Sequence, residues 1–499
     1  MSAGRITLST VLALSLAACG GDGTTTPPPT GGGPTPTPTP TGVSGCPLSQ
    51  EIEFADAVLD QWYLFPDLLD NSVNANAFSD LQDYLDARVA PARAQNVDRG
   101  FTFATSIEEE NELINSGSSA GFGILLAYDT VNDRVFLLEA YEAGNGFGSG
   151  MDRGTELLAI GEVGGDLVTV SSLMASGGPQ AVIDALGPSE PGVSRTIRFA
   201  QVNGTVITAD VTKSEFSLDP VSDRYGALVL NDGGKQVGYL NLRTFIIGTA
   251  DRELQDAFEK FADEGITEFI IDFRYNGGGL VRIADLIGDF LRGSNTGNIW
   301  SETVLRASQS ENNETRRFSD QARFQIPGQF DANGNPLFTD LEPIGSVAPT
   351  KVAFIGRGGT ASASELVINS MIPYLGNADI ALIGTNTFGK PVGQFGFDLS
   401  ECDLRVRAVT FQTNNAQGQG EYYSGLASVM PNTCSAGDNI FQPLGDPAED
   451  SVATALDFLA GRSCTAISGG GLQAQSAGGR EILQPAQPNA AQSQIPGIY

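Results

Sequence analysis

Residues 222–460 alternate strand-like apolar runs with amphipathic helical stretches, and this alternation limits the possible folds more than any other feature. The strand-like runs are residues 236–245, 266–273, 351–355 and 379–384. Helical spacing of apolar residues is seen at 250–264, after the glycines at 277–279, and from residue 363 to about 371. Strands that alternate with helices form a buried, largely parallel sheet covered by helices. The sequence therefore predicts an α/β domain over residues 222–464, with the polar residues 294–349 as an irregular surface excursion.

The regions before this domain have different periodicities. Residues 46–116 carry apolar side chains at helical spacing, which predicts a helical N-terminal region: Ile52, Phe54, Ala55, Val58, Leu59, Trp62 and Tyr63. Residues 117–215 contain short β-rich runs separated by turn residues, which predicts a small β domain with one helix near residues 179–186.

A loop with two glycines opens the first strand of the β-rich region. Gly121, Phe122, Gly123 and Ile124 form this loop, and together with the glycine-containing residues 150–157 they resemble a PDZ domain. In that family the loop offers backbone N–H groups to a peptide C-terminus, and the peptide adds a strand to the sheet edge. The resemblance implies that these four residues bind peptide. Alternatively, the two glycines only make a tight turn.

Charge and composition restrict the chemistry. The chain has 499 residues and a formal charge of −31, from 28 Lys and Arg against 59 Asp and Glu, and it contains no histidine. So acidic a chain repels nucleic-acid phosphates, which argues against a nucleic-acid partner. The commonest metal ligand is missing and the five Cys form no Cys-x-x-Cys pair, so we predict neither a metal nor a cofactor. If the chain is a hydrolase, imidazole is not its base.

The first 45 residues predict export and anchoring. Arg5 precedes the apolar residues 6–18, which are too few to span a bilayer. Residues 16–20, Leu-Ala-Ala-Cys-Gly, resemble a bacterial lipobox, which implies that residues 1–18 are a lipoprotein signal peptide and that Cys19 is acylated. The alternative is an ordinary secretory signal. The Gly, Thr and Pro of residues 19–45 predict a semi-extended tether, so we expect a lipid-anchored protein of the bacterial cell envelope, facing the periplasm or the exterior.

Four cysteines remain after Cys19, and an even number outside the cytoplasm predicts disulfides. From position alone we expect Cys402–Cys434 and Cys46–Cys464, with free buried cysteines as the alternative. Residues 465–499 are rich in Gly, Ala, Gln and Pro, which predicts a disordered tail.

Ser362 lies between the strand-like run at 351–355 and the next helix. A hydroxyl at this position is exposed, and the helix N-terminus, beginning with the N–H of Ala363, presents unpaired donors to developing negative charge. This is a suitable place for a nucleophile and half of an oxyanion hole. However, Ser362 to Glu365 also fit the Ser-x-x-Glu capping box, which predicts only a helix cap.

Lys390 is the candidate base. A lysine that accepts a serine proton must be neutral near pH 7, so burial must lower its pKa to about 7 from the reference value of about 10.4. The apolar neighbours in Phe-Gly-Lys-Pro-Val-Gly-Gln, residues 388–394, can supply that desolvation. Gln394 can hydrogen-bond the amine and orient it. Alternatively, Lys390 is a solvated surface residue with a glutamine nearby.

Three consecutive glycines follow the strand-like run at 266–273. A dinucleotide-binding fingerprint would require glycine at position 282, where the chain has Arg282. The glycines instead allow backbone N–H groups to approach a substrate carbonyl. We predict that Gly278, with Gly277 as the alternative, completes an oxyanion hole with the Ala363 N–H.

Three motifs in this order resemble the Ser/Lys C-terminal processing peptidases, also called tail-specific proteases. They are Asp-Phe-Arg-Tyr-Asn-Gly-Gly-Gly from residue 272, Thr-Ala-Ser-Ala-Ser-Glu from residue 360, and Phe-Gly-Lys-Pro-Val-Gly-Gln from residue 388. The resemblance implies a Clp-protease/crotonase-like catalytic domain joined to a PDZ domain and a helical N-terminal region. It also implies that Ser362, not Ser364, is the nucleophile, that Lys390 is the general base and that Gln394 supports it. An acidic residue that some members carry on the helix after the serine has no evident counterpart.

We therefore predict a lipid-anchored serine endopeptidase that forms an acyl-enzyme and cleaves proteins near an unstructured C-terminus captured by the PDZ domain. The main alternative is a peptide-binding scaffold lipoprotein of the same fold that has lost catalysis. An esterase or acyltransferase is a further alternative, although it would leave the PDZ-like region without a role.

Overall fold

The computed structural model describes residues 46–331, 334–468, 480–483 and 490–499. The predicted signal peptide, Cys19 and the tether lie outside the described residues. Among the helices within those ranges, none combines the length and apolar character needed to cross a membrane. The helices are α1 (Leu48–Trp62), α2 (Leu81–Arg88), α3 (Ala90–Ala94), α4 (Ile107–Ser116), α5 (Asn145–Gly148), α6 (Val170–Leu186), α7 (Ala250–Asp263), α8 (Val281–Leu291), α9 (Ala363–Met371), α10 (Asp450–Leu459) and α11 (Ala490–Gln494).

The strands are distributed over several sheets. In chain order they are β1 (Phe103–Ser106), β2 (Ser118–Gly121), β3 (Ile124–Asp129), β4 (Arg134–Ala140), β5 (Glu156–Gly161), β6 (Val168–Thr169), β7 (Ser194–Ala200), β8 (Val206–Thr212), β9 (Ser214–Ser217), β10 (Ala227–Asp232), β11 (Lys235–Asn241), β12 (Glu268–Asp272), β13 (Ile299–Leu305), β14 (Glu314–Arg317), β15 (Gln321–Ala322), β16 (Gln325–Phe330), β17 (Pro336–Phe338), β18 (Glu342–Pro343), β19 (Lys351–Gly356), β20 (Ile380–Gly384), β21 (Val392–Leu399), β22 (Leu404–Asn415), β23 (Thr433–Ser435) and β24 (Arg480–Glu481).

The central sheet has six strands in the order β10-β11-β12-β19-β20-β23. From β11 to β23 neighbouring strands are parallel, and only β10 is antiparallel to its neighbour. Alternate residues of β12 show that both faces are covered: Phe269 and Ile271 pack with α7, α8 and α9, whereas Ile270 packs with α10. Burying each such side chain stabilises the fold by about 1.5–3 kcal/mol. The predicted buried, largely parallel sheet is confirmed.

A second sheet, antiparallel, has the order β1-β22-β13-β14, with β21 also paired to β22. The expectation of an irregular surface excursion at residues 294–349 is wrong for β13, whose Trp300 is only 1% exposed and donates its indole N–H to Asp285. Three consecutive polar residues, Ser301 to Thr303, stand in the middle of this strand, and they lower its average hydrophobicity.

The N-terminal helices pack on this second sheet. Leu59 of α1, Leu85 of α2 and Val406 of β22 belong to one apolar cluster. Because β1 pairs with β22, the residues just before β1 are held against the start of β21, where one of the candidate catalytic loops ends.

The β-rich region forms a seven-stranded sheet in the order β24-β3-β4-β5-β7-β8, with β6 beside β5. Helix α6 covers one face, and its two halves meet at Gly178, where φ is +65°. The predicted helix near residues 179–186 is the second half.

The expected disordered tail is wrong for the parts of residues 465–499 that the structure describes. Strand β24 pairs with β3, and residues 497–499 pair with β3 as well. Ile495, Ile498 and Tyr499 are each only 2% exposed. The average composition of the tail does not reveal these few apolar side chains, which pack into apolar clusters of the fold.

The described part of the chain contains two disulfides, but their pairing differs from the expected one: Cys46 is bonded to Cys402 and Cys434 to Cys464. The Cα atoms are 5.5 Å and 5.4 Å apart, within the range that a disulfide requires. Cys46 precedes α1, which packs on the sheet containing β21 and β22, and Cys402 lies in the turn that joins these two strands. Cys434 lies in the central sheet next to the chain that follows α10. The assembly of two different sheets, which sequence position does not reveal, decides the pairing.

Candidate active site

Three loops that carry the candidate catalytic residues follow neighbouring strands of the central sheet. The loop after β12 contains the three glycines, the loop after β19 leads to Ser362, and the loop after β20 leads to Lys390. Strands β12, β19 and β20 are adjacent and parallel, so their carboxyl ends lie side by side. This is the edge at which open α/β sheets place their ligands.

Ser362 precedes α9 in an unusual backbone conformation, with φ +55° and ψ −115°. A residue other than glycine at positive φ costs about 1–3 kcal/mol, and the conformation persists only where its surroundings impose it. Here the Ala361 N–H donates to the Asn276 carbonyl (3.2 Å), and the Ser362 N–H donates to Glu365 Oε2 (3.1 Å). These contacts hold a half-buried hydroxyl at the N-terminus of a helix.

Glu365 is completely buried and links the two candidate catalytic residues. Its carboxylate accepts the Ser362 N–H, the Lys390 N–H (2.7 Å), the Gly389 N–H (2.8 Å) and the Thr387 hydroxyl. Burial raises the pKa of this carboxyl above its ordinary value, although the four hydrogen bonds act in the opposite direction. One side chain thus supplies an arm of the predicted capping box and also fixes the backbone at Lys390.

The Lys390 amine contacts an aromatic ring and a side-chain amide. Its Nζ donates to Gln394 Oε1 (3.0 Å) and lies 4.8 Å from the centre of the Phe101 ring. The Gln394 amide group in turn donates to the Phe101 carbonyl (2.6 Å). The structure therefore brings Lys390 and Gln394 together, and it adds Phe101 from the N-terminal region.

Burial lowers the pKa of Lys390 to about 8. The negative charge of Asp98 raises it, the positive charge of Arg407 lowers it, and the negative charge of Glu365 raises it. Desolvation dominates because it penalises the charged ammonium more than these neighbours stabilise it. A substantial fraction of Lys390 is therefore neutral in mildly alkaline solution.

Arg99 fastens the loop that carries this lysine. Its guanidinium donates to the carbonyls of Phe388 (2.6 Å) and Gly389 (2.7 Å) and lies 4.0 Å from the Phe388 ring centre. The N-terminal region thus forms one wall of the site.

Ser362 and Lys390 are not hydrogen-bonded to each other in this structure. The amine donates to Gln394 instead, and the two residues share Glu365 as a common partner. Catalytic hydrogen bonds are often long without substrate and tighten when substrate binds. For Lys390 to accept the Ser362 proton, the amine and the hydroxyl must come within hydrogen-bond distance of each other.

The glycine loop lies against Ser362. A Cβ at Gly278 would come within 2.8 Å of the Ser362 Cβ and 2.9 Å of the Ala363 nitrogen, so only glycine fits. The Gly278 N–H, however, donates to Asn276 Oδ1 (2.9 Å), and the first choice of Gly278 as oxyanion donor does not hold here. Among the described residues the amides of Gly277 and Ala363 have no acceptor, which favours the alternative, Gly277.

Tyr275 connects the glycine loop to the β-rich domain. Its φ is +66°, and its hydroxyl donates to Asp438 Oδ2 (2.5 Å). Arg153, just before β5, donates to the Tyr275 hydroxyl (2.9 Å) and to Asp438 (2.6 Å). A buried polar network therefore joins the predicted peptide-binding domain to the loop beside Ser362.

The four predicted peptide-binding residues divide into two pairs. The carbonyls of Phe122 and Gly123 hold the neighbouring residues 141–146. Gly121 and Ile124 border the edge of β3, along which residues 497–499 lie.

A model of peptidase family S41 matches residues 236–426, which contain the glycine loop, Ser362, Lys390 and Gln394. Residues 236–426 are therefore a peptidase S41 domain. The resemblance to C-terminal processing peptidases is thereby confirmed, and so is the mixed α/β fold.

Two relatives of the chain are named as C-terminal processing enzymes. A carboxyl-terminal-processing protease of Synechocystis is 25% identical over 358 residues, 70% of each chain. The chloroplastic C-terminal processing peptidase of Tetradesmus obliquus is 27% identical over 315 residues, 60% of this chain and 57% of the relative. A crystal structure of an S41 protease from Bacteroides fragilis matches with a TM-score of 0.60 at 20% identity, over 82% of this chain and 97% of that one, and it shows a shared fold.

Sequence reasoning missed Glu365, Arg99 and Phe101 in the candidate active site. Glu365 lies on the helix after the serine and contacts both candidate catalytic loops. Its signal was the Ser-x-x-Glu spacing, read only as a helix cap. Arg99 and Phe101 lie about 290 residues from their partners in the chain and left no such signal.

Proposed function

We propose that this S41 peptidase is a serine endopeptidase in which Ser362 is the nucleophile and Lys390 the general base. The observation that supports this most is the Lys390 amine, whose pKa burial lowers to about 8, on a loop that shares Glu365 with a strained serine at a helix N-terminus. The two loops are held by one buried carboxylate, which favours a working pair over an accidental one.

In the proposed reaction the neutral Lys390 amine accepts the Ser362 proton as the oxygen attacks the scissile carbonyl carbon. The amides of Gly277 and Ala363 donate to the resulting oxyanion, and each such donor contributes about 3 kcal/mol. The tetrahedral intermediate expels the peptide amine, which takes the proton from Lys390, and leaves an ester on Ser362. Water then attacks this ester with Lys390 again as the base, the bond between the acyl carbon and the Ser362 oxygen breaks, Lys390 returns the proton to that oxygen, and the product leaves with a new carboxyl terminus. Gln394 accepts a hydrogen bond from the lysine and orients it.

The proposed substrates are proteins with unstructured C-termini captured by the β-rich domain, which we interpret as a PDZ domain. The two named relatives support this substrate class, and residues 497–499 already lie along β3 as an added peptide strand would in such a domain. We also propose that Cys19 attaches the protein to a bacterial envelope membrane, and the support for this is the lipobox-like sequence at residues 16–20.

An active-site serine probe, such as a fluorophosphonate, tests this assignment. We expect one equivalent of label on Ser362, located by mass spectrometry, and cleavage of a disordered polypeptide by the same preparation. A catalytically silent scaffold would stay unlabelled and leave the polypeptide intact. Cleavage of a simple acyl ester without cleavage of the polypeptide would indicate an esterase.

The rate should depend on pH through Lys390. Because the reactive form is the neutral amine, kcat/KM is expected to rise with pH and to level off above an inflection near the Lys390 pKa of about 8. Below that pH the rate should fall about tenfold per unit. A profile that is flat between pH 6 and 9 would contradict the role of Lys390.

Glu365→Gln should displace the loops that carry Ser362 and Lys390, although a side chain of nearly the same size remains between them. A glutamine amide offers a donor where two backbone N–H groups need an acceptor, and such misplacement lowers kcat by about 10–100-fold with little change in KM. Removing the negative charge should also move the inflection of the pH profile to lower pH, because Glu365 raises the pKa of Lys390. An unchanged inflection with reduced kcat would show a purely structural role.

A further inference from the structure

The edge of β3 is already occupied by the chain's own residues 497–499. The Tyr499 N–H donates to the Ile124 carbonyl (2.8 Å), the Ile124 N–H donates to the Tyr499 carbonyl (3.0 Å), and the Leu126 N–H donates to the Gly497 carbonyl (2.9 Å). Leu125 and Ile498 form an antiparallel bridge. This is the main-chain pattern of a peptide that adds a strand to a sheet edge.

The two side chains of this segment point into different apolar clusters. Tyr499 packs into the core of the β-rich domain with Phe122 and Ile124. Ile498 packs on the opposite face of the sheet with Leu125 and Phe136. Both are only 2% exposed, so they occupy fitted pockets and not a surface groove.

Gly121 makes room for this segment. A Cβ at that position would come within 2.6 Å of the Tyr499 carbonyl carbon, so only glycine allows the approach. The same stretch of chain also borders the candidate active site, because a Cβ at Gly277 would come within 3.0 Å of the Gln494 carbonyl oxygen. The segment therefore covers the peptide-binding edge and lies beside the loop that supplies an oxyanion donor.

We propose that residues 495–499 are a resident ligand of the peptide-binding edge, which a substrate must displace, and that this edge selects polypeptides with an aliphatic residue followed by an aromatic one. The proposal rests on the proposed function, since the displacing ligand is a substrate of the proposed peptidase. A tethered ligand acts at an effective concentration that reaches the millimolar range. An external peptide binds only those molecules whose edge is free, so its apparent Kd is the intrinsic Kd divided by the fraction of such molecules.

The test measures binding and not cleavage. Full-length Ser362→Ala protein binds a fluorescent peptide of residues 492–499, Gln-Ser-Gln-Ile-Pro-Gly-Ile-Tyr, and anisotropy gives its Kd. Adding Tyr499→Ala should lower that Kd about tenfold or more, because the resident segment no longer competes. Val206→Ala, an exposed change in the same domain, should leave it unaltered. Equal Kd values for the proteins with and without Tyr499→Ala would overturn the proposal.

Hydrogen exchange gives a second readout that does not depend on the affinity. In the Tyr499→Ala protein the amides of Ile124 and Leu126 should exchange at least about tenfold faster, and saturating peptide should restore their protection. If Tyr499→Ala instead lowers the Tm of the domain, the peptide added in trans should raise it again. Failure of the peptide to restore either property would show that the segment is a permanent strand. A peptide with Asp in place of the tyrosine should not bind, and binding by that peptide would refute the selectivity.

Because the assay uses Ser362→Ala, its outcome is independent of the catalytic assignment. A protein that binds the peptide but never cleaves would refute the proposed function alone. A protein that cleaves but shows no competition would refute the resident ligand alone.

Discussion

Ser362→Ala is expected to lower kcat/KM for a disordered polypeptide by about 10⁴-fold or more, and Lys390→Met should do the same, because nucleophile and base act as one unit. For the same reason the double variant should be no slower than either single one. The measurement is the rate of peptide-bond cleavage by purified protein. Lys260→Met, which changes an exposed lysine on α7, should retain the rate of the original protein.

Lys390→Met should at the same time stabilise the fold. The folded-state pKa of Lys390, about 8, lies below the ordinary value of 10.5, so the folded protein binds this proton less tightly than the unfolded chain does. Burying the ammonium therefore destabilises the protein at pH 7, by about 3 kcal/mol from the size of the pKa shift. The free energy of unfolding should rise by about 1–3 kcal/mol in the variant at pH 7, and the gain should shrink as pH rises from 8 to 10.5. A loss of activity accompanied by a lower Tm would show damage to the fold and not loss of a base.

Asp438→Asn should destabilise the protein by about 3–5 kcal/mol, because it removes one partner from a buried charge network. Asp438 accepts hydrogen bonds from Arg153 and from Arg274 (3.3 Å), and Arg357 lies 3.9 Å away. The substitution would leave these guanidinium groups buried without their shared carboxylate. It should also loosen the connection between the β-rich domain and the Tyr275 loop, so that the activity that remains depends less on peptide binding.

Chemical denaturation monitored by circular dichroism checks this prediction. Asp256→Asn, an exposed acidic residue on α7, is the matched control and should change stability by less than about 0.5 kcal/mol. Mild acid should not mimic Asp438→Asn: burial raises the pKa of this carboxyl, but Arg153, Arg357 and Arg274 lower it far more, well below its usual range. Its contribution to stability is therefore present throughout the mildly acidic range and is lost only in strong acid. A variant as stable as the original protein would contradict the role given to this network.

The local pattern of the chain predicted the elements that carry the site. The apolar runs that became β12, β19 and β20 are buried on both faces, so their hydrophobicity alone distinguished them. The residues that follow each strand then had to meet at one edge of the sheet. For this reason Ser362, Lys390 and the glycines could be expected to lie together from their positions in the chain.

What the sequence could not reveal depends on contacts between distant parts of the chain. Arg99 and Phe101 belong to the N-terminal region and reach the lysine loop only because β1 pairs with β22. The disulfide pairing depends on how two sheets pack together in the fold. The position of Tyr499 depends on main-chain hydrogen bonds, which the composition of the tail does not predict. The spacing of the glycines does not show that the Asn276 side chain accepts the Gly278 N–H, so the sequence could not decide between Gly277 and Gly278 as the oxyanion donor.

The proposed mechanism requires a lysine that is largely neutral in mildly alkaline solution, and the pKa of its amine can be measured directly. In protein labelled with ¹³C at the lysine ε-carbons, the signal that disappears in Lys390→Met identifies Lys390, and its chemical shift is followed from pH 6 to 11. We predict a transition near pH 8. A transition at or above the ordinary value of 10.5, with the amine charged throughout the range in which the enzyme works, would contradict the proposed mechanism.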